Sequence, residues 1–445
     1  MKTEREERTM DNRQEVLRYF EAYREETDAR VQRGIEVNRK GYGYITLKDS
    51  AGNPVVGATI RLKQKNHAFR FGANLFMLDE FETEEKNNIY KESFAKLFNM
   101  ATLPFYWDST EPEKGKHRYD KDSPKLYRRP AIDFCMEYCE EHGIEPREHA
   151  LAYDHFFPDW LVGADVNTCK KELERRYREI SERYADKIPN IEVTNEMQWE
   201  KGKTALYRSD DFMDWAFRKA EEYFPYNHLT INEGTSQTYV NFYENMSLYY
   251  LQIERLLKAG RRVDAVGIQF HMTSERGREW ERGRFCYNPR HLYKVLDRYS
   301  DFGLPLQVTE ITIPAYSLDP QDENIQADLA ERLYSLWFSH PNMEQIIYWN
   351  LPDGYAFAAE PGDMTAGENQ RFGGLLRFDM SKKPIYDRLD ELINHRWRTD
   401  VSVTTDGQGK ACFNGFYGDY EAIIDGKTYL LQLKKDADRN YEVKL

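Results

Sequence analysis

"NIEVTNE" (residues 190–196), then "DDFMDWAFRKAEEYF" (210–224), then "HLTINEG" (228–234) is the stretch that decides the architecture. A short apolar run rich in β-branched residues reads as a buried strand. The amphipathic stretch after it reads as a helix, and the next apolar run as a second strand. Strands that are apolar on both faces and separated by helices lie parallel, with the helices covering the sheet. Each run also closes on an amide followed by a carboxylate, Asn195–Glu196 and Asn232–Glu233, where the chain leaves the apolar core.

The same rhythm extends in both directions. Strands are expected at "FRFGANLF" (69–76), "NMATLPFY" (99–106), "EPREHALAY" (145–153), "VDAVGIQFHM" (263–272), "PLQVTEITI" (305–313) and "MEQIIYWNL" (343–351). Helical patterns alternate with them. One of these is "AIDFCMEYCEEHG", stopped by Gly143, and another is "YVNFYENMSLYYLQIERLLKAG", stopped by Gly260. Eight strand–helix units predict an α/β protein with a (β/α)8 TIM barrel. A doubly wound open sheet is the rival, but no glycine-rich phosphate loop follows the first strand.

The ends of the chain differ. Residues 1–40 are charged, with Val16, Leu17, Phe20 and Tyr23 at helical spacing, and read as a surface helix. Residues 42–65 alternate polar and apolar around "AGNP" and read as a β-hairpin. After residue 398 the alternation returns in "VTTDGQGKACFNGFYGDYEAIIDGK" (403–427). The two segments resemble the halves of one small β-sandwich of the prealbumin-like kind. The expected organisation is a charged helix (1–40), a first half-sandwich (41–66), the barrel (67–398) and a second half-sandwich (399–445). Ile45, Val56, Ile60, Phe413, Tyr420 and Ile423 are its expected core.

Composition narrows the function. With a net charge of −13 the chain is a poor partner for nucleic acid, which wants a basic face. No apolar run spans a membrane. The start, "MKTEREERTMDNRQEV", has no apolar segment of the secretory kind. The five cysteines (135, 139, 169, 286 and 412) are scattered, so a reducing, cytoplasmic setting is expected. Cys135 and Cys139 read as core positions. No zinc spacing or EF-hand pattern occurs, so neither metal nor cofactor is expected. The 31 Tyr, 24 Phe and 8 Trp suit a ligand with apolar faces, such as a sugar.

In barrels of this kind reactive groups sit at the C-terminal ends of the strands. The polar and aromatic residues there are Tyr106, His149, Tyr153, Asn195, Glu196, Asn232, Glu233, Gln269, His271, Glu310 and Trp349. Glu196 and Glu310 close the fourth and seventh strands, which can aim two carboxylates across one mouth. A carboxyl pair is what glycoside hydrolysis needs, one to protonate the leaving oxygen and one to attack carbon or activate water. Either glutamate could instead cap a helix or pair with a cation. Glu233 reads as structural.

Residues 69 to 395 resemble family 10 of the glycoside hydrolases, the endo-β-1,4-xylanases. "VTNE" is similar to the family's acid/base segment and "QVTEI" to its nucleophile segment. "GIQFHM", "EHALAY", "YWNLPDGY", "STEPEKGKHRYD" and "LLRFDMSKKPIYDRL" match further motifs in order. The resemblance implies Glu196 as acid/base and Glu310 as nucleophile in a retaining double displacement. It also implies Asn195, His149, Tyr153, Gln269, His271, Trp349, Tyr106 and Asn232 as sugar-binding residues, and a β-linked glycan, xylan or xylo-oligosaccharide, as the partner. Where the family has Glu-Asn and then Lys after its second strand, this chain has Thr102, Leu103 and Tyr106. Tyr153 and Asp154 replace Trp and His, Thr312 replaces Asp, and Phe357 replaces the second eighth-strand Trp. Two other readings therefore stand beside xylan hydrolysis: hydrolysis of another β-linked glycan, and a barrel that binds glycan without cleaving it.

Overall fold

The computed structural model describes residues 13–198 and 202–445. Two strands precede the barrel, β1 (Lys40–Lys48) and β2 (Thr59–His67). The barrel strands are β3 (Arg70–Asn74), β4 (Met100–Pro104), β5 (Glu145–His149), β6 (Asn190–Asn195), β7 (His228–Glu233), β8 (Ala265–His271), β9 (Leu306–Thr312) and β10 (Met343–Tyr348). They run in sequence order, each parallel to the next, and β10 closes on β3 through Gln345–Arg70 to Tyr348–Ala73. The fold is a TIM barrel.

Local chemistry sets the helix ends. Asp165 caps the helix Val166–Tyr184 by accepting from the backbone N–H groups of Asn167 and Thr168. Gly143 ends the helix Ile132–His142 at φ 63, a left-handed conformation that costs glycine nothing. The helix expected over 239–260 is shorter than its pattern. A π-turn at Ser236–Val240 and a 3-10 turn at Glu244–Met246 come first, and the α-helix runs Leu248–Lys258. The helix Pro320–Ser339 starts earlier than its apolar pattern because Asp319 caps it and Pro320 supplies its first turn.

The last strands are β11 (Asp400–Thr404), β12 (Lys410–Phe416), β13 (Gly418–Ile424), β14 (Lys427–Leu433) and β15 (Asn440–Lys444). They join β1 and β2 in two sheets of order β12-β1-β15 and β11-β2-β13-β14. The hairpin expected over 42–65 does not form. β1 and β2 lie in different sheets, and the turn held by Asp49 carries the chain from one to the other. β1 pairs instead with β12, Lys40–Phe416 through Thr46–Lys410.

Ile45, Ile60, Phe413 and Tyr420 share one core with Leu47, Leu62 and Ala422. Two expected core residues do not belong to it. Val56 sits in the crossing turn, 59% exposed, and Ile423 is half-buried, since the alternation of β13 turns Ala422 and Ile424 inward instead.

The N-terminal charged segment lies outside the described residues up to position 12. Beyond it, Val16, Leu17 and Phe20 are buried in the barrel's core, Tyr23 is half-buried, and the helix Arg24–Arg39 leads into β1. Arg39 donates to the carbonyls of Phe338, His340 and Met343, so its cation closes the C-terminal end of the helix Pro320–Ser339. Cys135, Cys139, Cys169 and Cys286 are buried and Cys412 is exposed. Among the described residues no helix is long and apolar enough to cross a membrane.

Candidate active site

All ten residues expected at the site meet at the C-terminal mouth of the barrel, around a cleft of about 480 Å³. Tyr106, Tyr153, Glu196, Gln269, His271, Glu310 and Trp349 line it. Asn195, His149 and Asn232 lie beneath and tie the lining together.

The acid pair is held by one amide. Gln269 Nε2 donates to Glu196 Oε1 and Glu310 Oε1 at 2.9 Å each, and to Asn195 Oδ1 at 3.1 Å. The two carboxylate oxygens are therefore no more than two such bond lengths apart. Asn232 Nδ2 makes a second fork, to Asn195 Oδ1 at 2.9 Å, Glu310 Oε1 at 3.1 Å and Glu192 Oε1 at 3.2 Å. Thr309 orients that amide by donating to Asn232 Oδ1 at 2.7 Å. An amide nitrogen carries two protons, so three acceptors around each must share them. Asn195 Nδ2 is buried with no partner among the described residues.

The chain turns sharply at the acid. β6 ends at Asn195, and Glu196 follows at φ 52, the left-handed region that costs a residue with a Cβ on the order of 1–2 kcal/mol. Its backbone N–H donates to the Asn232 carbonyl at 3.2 Å, which holds the turn against β7.

The two carboxyls differ in surroundings. Burial, then the nearby charge of Glu310, raises the Glu196 pKa, while donors from Tyr153 and Gln269 pull the other way. The Tyr153 hydroxyl reaches Glu196 Oε2 at 2.6 Å. Glu310 Oε2 instead faces His271 Nε2 at 3.1 Å, and His271 Nδ1 lies 2.8 Å from Thr312 Oγ1. Burial opposes the charged form of His271, but the hydrogen bond and charge of Glu310 outweigh it and raise its pKa. One carboxyl thus favours its protonated form, and the other sits against an imidazole that favours its cation.

A charged layer supports this network from inside the barrel. Glu192, fully buried, lies 2.9 Å from His149 Nδ1 and 2.5 Å from Arg147 Nη2. His149 Nε2 in turn meets the Tyr106 hydroxyl at 3.2 Å. Oxygens of Glu192 and Glu310 and a nitrogen of His149 approach closely enough to hold a cation, but Arg147 and His149 already supply positive charge to Glu192.

Trp349 forms the floor. It is 5% exposed and braced edge-on by Phe76 at 5.2 Å, His149 at 5.4 Å and His271 at 5.9 Å between ring centroids. Phe357, 40% exposed, stands at the rim. Glu233 takes no part in the cleft lining. Burial lifts its pKa to about 8, and the backbone N–H of Gly234 donates to it at 2.9 Å. Asp154 turns away to accept from Thr204 in the neighbouring loop. Thr102 and Leu103 are fully buried in β4 and offer the cleft nothing.

The sequence reading missed Glu192, Phe76, Phe156, Arg128 and Arg129. Glu192 alternates with the outward-facing apolar residues of "IEVT", a signal that the barrel interior is partly polar. The others lie in loops whose approach to the cleft depends on the closed fold.

A closed parallel barrel that gathers two buried carboxyls above an aromatic floor defines the class of barrel glycoside hydrolases. Residues 62–390 match the family model Glycosyl hydrolase family 10, and the chain belongs to that family. It is 25% identical over 407 residues to anti-sigma-I factor RsgI6 of Acetivibrio thermocellus, covering 89% of this chain and 47% of that protein. It is 23% identical over 402 residues to endo-1,4-beta-xylanase 2 of Arabidopsis thaliana, covering 88% of this chain and 33% of that one. The chain thus spans half or less of the length of these two relatives. Among solved structures, xylanase 10B of Thermotoga petrophila in complex with xylobiose superposes with a TM-score of 0.59 at 20% identity. That match covers 74% of this chain and 95% of the xylanase, and it extends the likeness of fold across the barrel.

Proposed function

We propose that the chain is a retaining endo-β-1,4-glycanase that hydrolyses xylan or xylo-oligosaccharides, with Glu310 as nucleophile and Glu196 as acid/base. The observation that carries this reading is the single Gln269 amide bridging both carboxylates. It keeps them closer than the roughly 6.5 Å at which inverting pairs begin, and leaves no room for a water between Glu310 and the anomeric carbon.

In the first step a Glu310 oxygen attacks the anomeric carbon while Glu196 gives its proton to the leaving glycosidic oxygen. In the second, Glu196, now ionised, takes a proton from water, and the resulting hydroxide displaces Glu310 from the anomeric carbon. The raised pKa of Glu196 supports the donor role, and His271, whose cation is favoured, lies 3.1 Å from the attacking carboxylate. The unpaired Asn195 Nδ2 is suited to the sugar 2-hydroxyl, and Trp349 to the face of a pyranose ring.

A second reading, hydrolysis of another β-linked glycan, is favoured by the burial of Thr102 and Leu103 where the family grips the next sugar. Reducing-sugar release from a panel of neutral β-linked polysaccharides separates the two. Fastest release from xylan is expected, and faster release from a different backbone would replace xylan with that glycan. Binding without turnover, even on an activated aryl β-xyloside, would leave only a glycan-binding barrel.

A further inference from the structure

Arg128 and Arg129 stand side by side in the cleft wall. They are 4% and 9% exposed, yet no carboxylate oxygen lies within 4.0 Å of either guanidinium among the described residues. Arg128 is partly satisfied, because it donates to Asn350 Oδ1 at 3.1 and 3.2 Å and to the Tyr355 carbonyl, while its Nε is buried without a partner. Its backbone is left-handed at φ 60.

Arg129 is the less satisfied of the two. A guanidinium carries five N–H donors, and Arg129 gives one of them to the Arg128 carbonyl at 2.8 Å. Its guanidinium carbon lies 4.2 Å from the Tyr106 ring centroid and 5.4 Å from those of Phe76 and Phe156. Burial lowers its pKa to about 10, so it remains a cation at neutral pH, and Asp108 acts on it only from beyond ion-pair distance. The other carboxylates of the cleft are engaged elsewhere. Glu196 and Glu310 are held by Gln269, and Glu368 accepts from Asn350 Nδ2 at 3.4 Å.

Burying a cation without a counter-charge is unfavourable, and aromatic faces offset only part of that cost. Its planar fork of donors matches a carboxylate. Tyr106 connects it to the centre of the cleft, since its hydroxyl meets His149. With a net charge of −13 the chain offers an anion no long-range attraction, so recognition must come from a short-range contact of this kind.

We propose that Arg129, backed by Arg128, binds the carboxylate of a uronic-acid residue on the glycan, so that the preferred substrate is an acidic xylo-oligosaccharide. The proposal rests on the glycanase reading of the cleft and adds the substrate's charge to it.

The test uses the Glu310→Gln chain, which should bind without turnover, and isothermal titration calorimetry. Three oligosaccharides share one β-1,4-xylose backbone: unsubstituted, carrying one glucuronic acid, and carrying one sulfate. The glucuronic acid form is expected to bind about tenfold or more tighter than the unsubstituted one, as charge-assisted hydrogen bonds allow. Adding Arg129→Gln should bring the two within about twofold, and Arg129→Lys should keep part of the preference. Equal affinity for the acidic and neutral forms, or a preference that survives Arg129→Gln, overturns the proposal and leaves the glycanase reading standing. Tighter binding of the sulfate than of the uronate overturns the carboxylate assignment. Binding of none of the three sinks the glycanase reading and this proposal with it.

Discussion

Tyr153 donates its hydroxyl to Glu196 Oε2 at 2.6 Å. A donor bonded to a carboxylate favours the ionised form, so Tyr153 works against the burial and the Glu310 charge that raise the Glu196 pKa. Glu196 must be protonated for the first step, so its pKa sets the high-pH limb of the rate profile. In Tyr153→Phe that pKa rises, and the alkaline limb of kcat/KM should move up by roughly 0.5–1 pH unit, the equivalent of one hydrogen bond. A pH–rate profile of the two proteins checks this. A downward shift would contradict the assignment of Glu196 as the acid.

Most of the eight strands were legible from runs rich in apolar residues between helical patterns, although β5 (Glu145–His149) is largely polar, and the acid pair because each glutamate follows such a run directly. The sandwich was harder to read. Alternation in 42–65 marks strands but not their partners, and the same pattern fits a hairpin or two strands in facing sheets. Ile423 was misplaced because a one-residue change of register reverses the face of every side chain, and Val56 because it lies in the turn between the two sheets. Arg128 and Arg129 carried no signal beyond two consecutive charges in a loop, which ordinarily face solvent. Their burial follows from the loop's return over Phe76 and Tyr106.

The two glutamates should separate kinetically. Glu310→Gln should abolish turnover on every substrate, because no covalent intermediate can form. Glu196→Ala should retain the first step on an aryl glycoside with a very good leaving group, which needs no proton. Added azide should then speed the second step by replacing the activated water. If both variants lose the activated substrate equally and azide does nothing, the roles are wrong.

Glu233 should make stability fall as pH rises. Its pKa in the fold, about 8, lies above the ordinary 4.5, so between those values the native state holds a proton that the unfolded chain releases. Glu233→Gln removes this loss. At pH 8 the variant should be more stable than the parent by on the order of a few kcal/mol, and near pH 4 the difference should vanish. Urea unfolding at both pH values tests it, and an unchanged difference across the range would contradict it.

Deleting residues 399–445 should destabilise the protein. The deletion uncovers Ile45, Leu47, Ile60 and Leu62, each buried against the C-terminal strands and each contributing roughly 1.5–3 kcal/mol when buried. A lower melting temperature or aggregation is expected. Unchanged solubility and melting would mean that β1 and β2 do not depend on those partners.

The proximity of Glu196 and Glu310 is most directly tested by the configuration of the first product. Proton NMR during hydrolysis of a β-linked xylo-oligosaccharide resolves the newly formed reducing end before it mutarotates. Two carboxyls bridged by one amide predict the β-anomer first, equilibrating later to the mixture. Initial appearance of the α-anomer would contradict the double displacement and the nucleophilic role of Glu310.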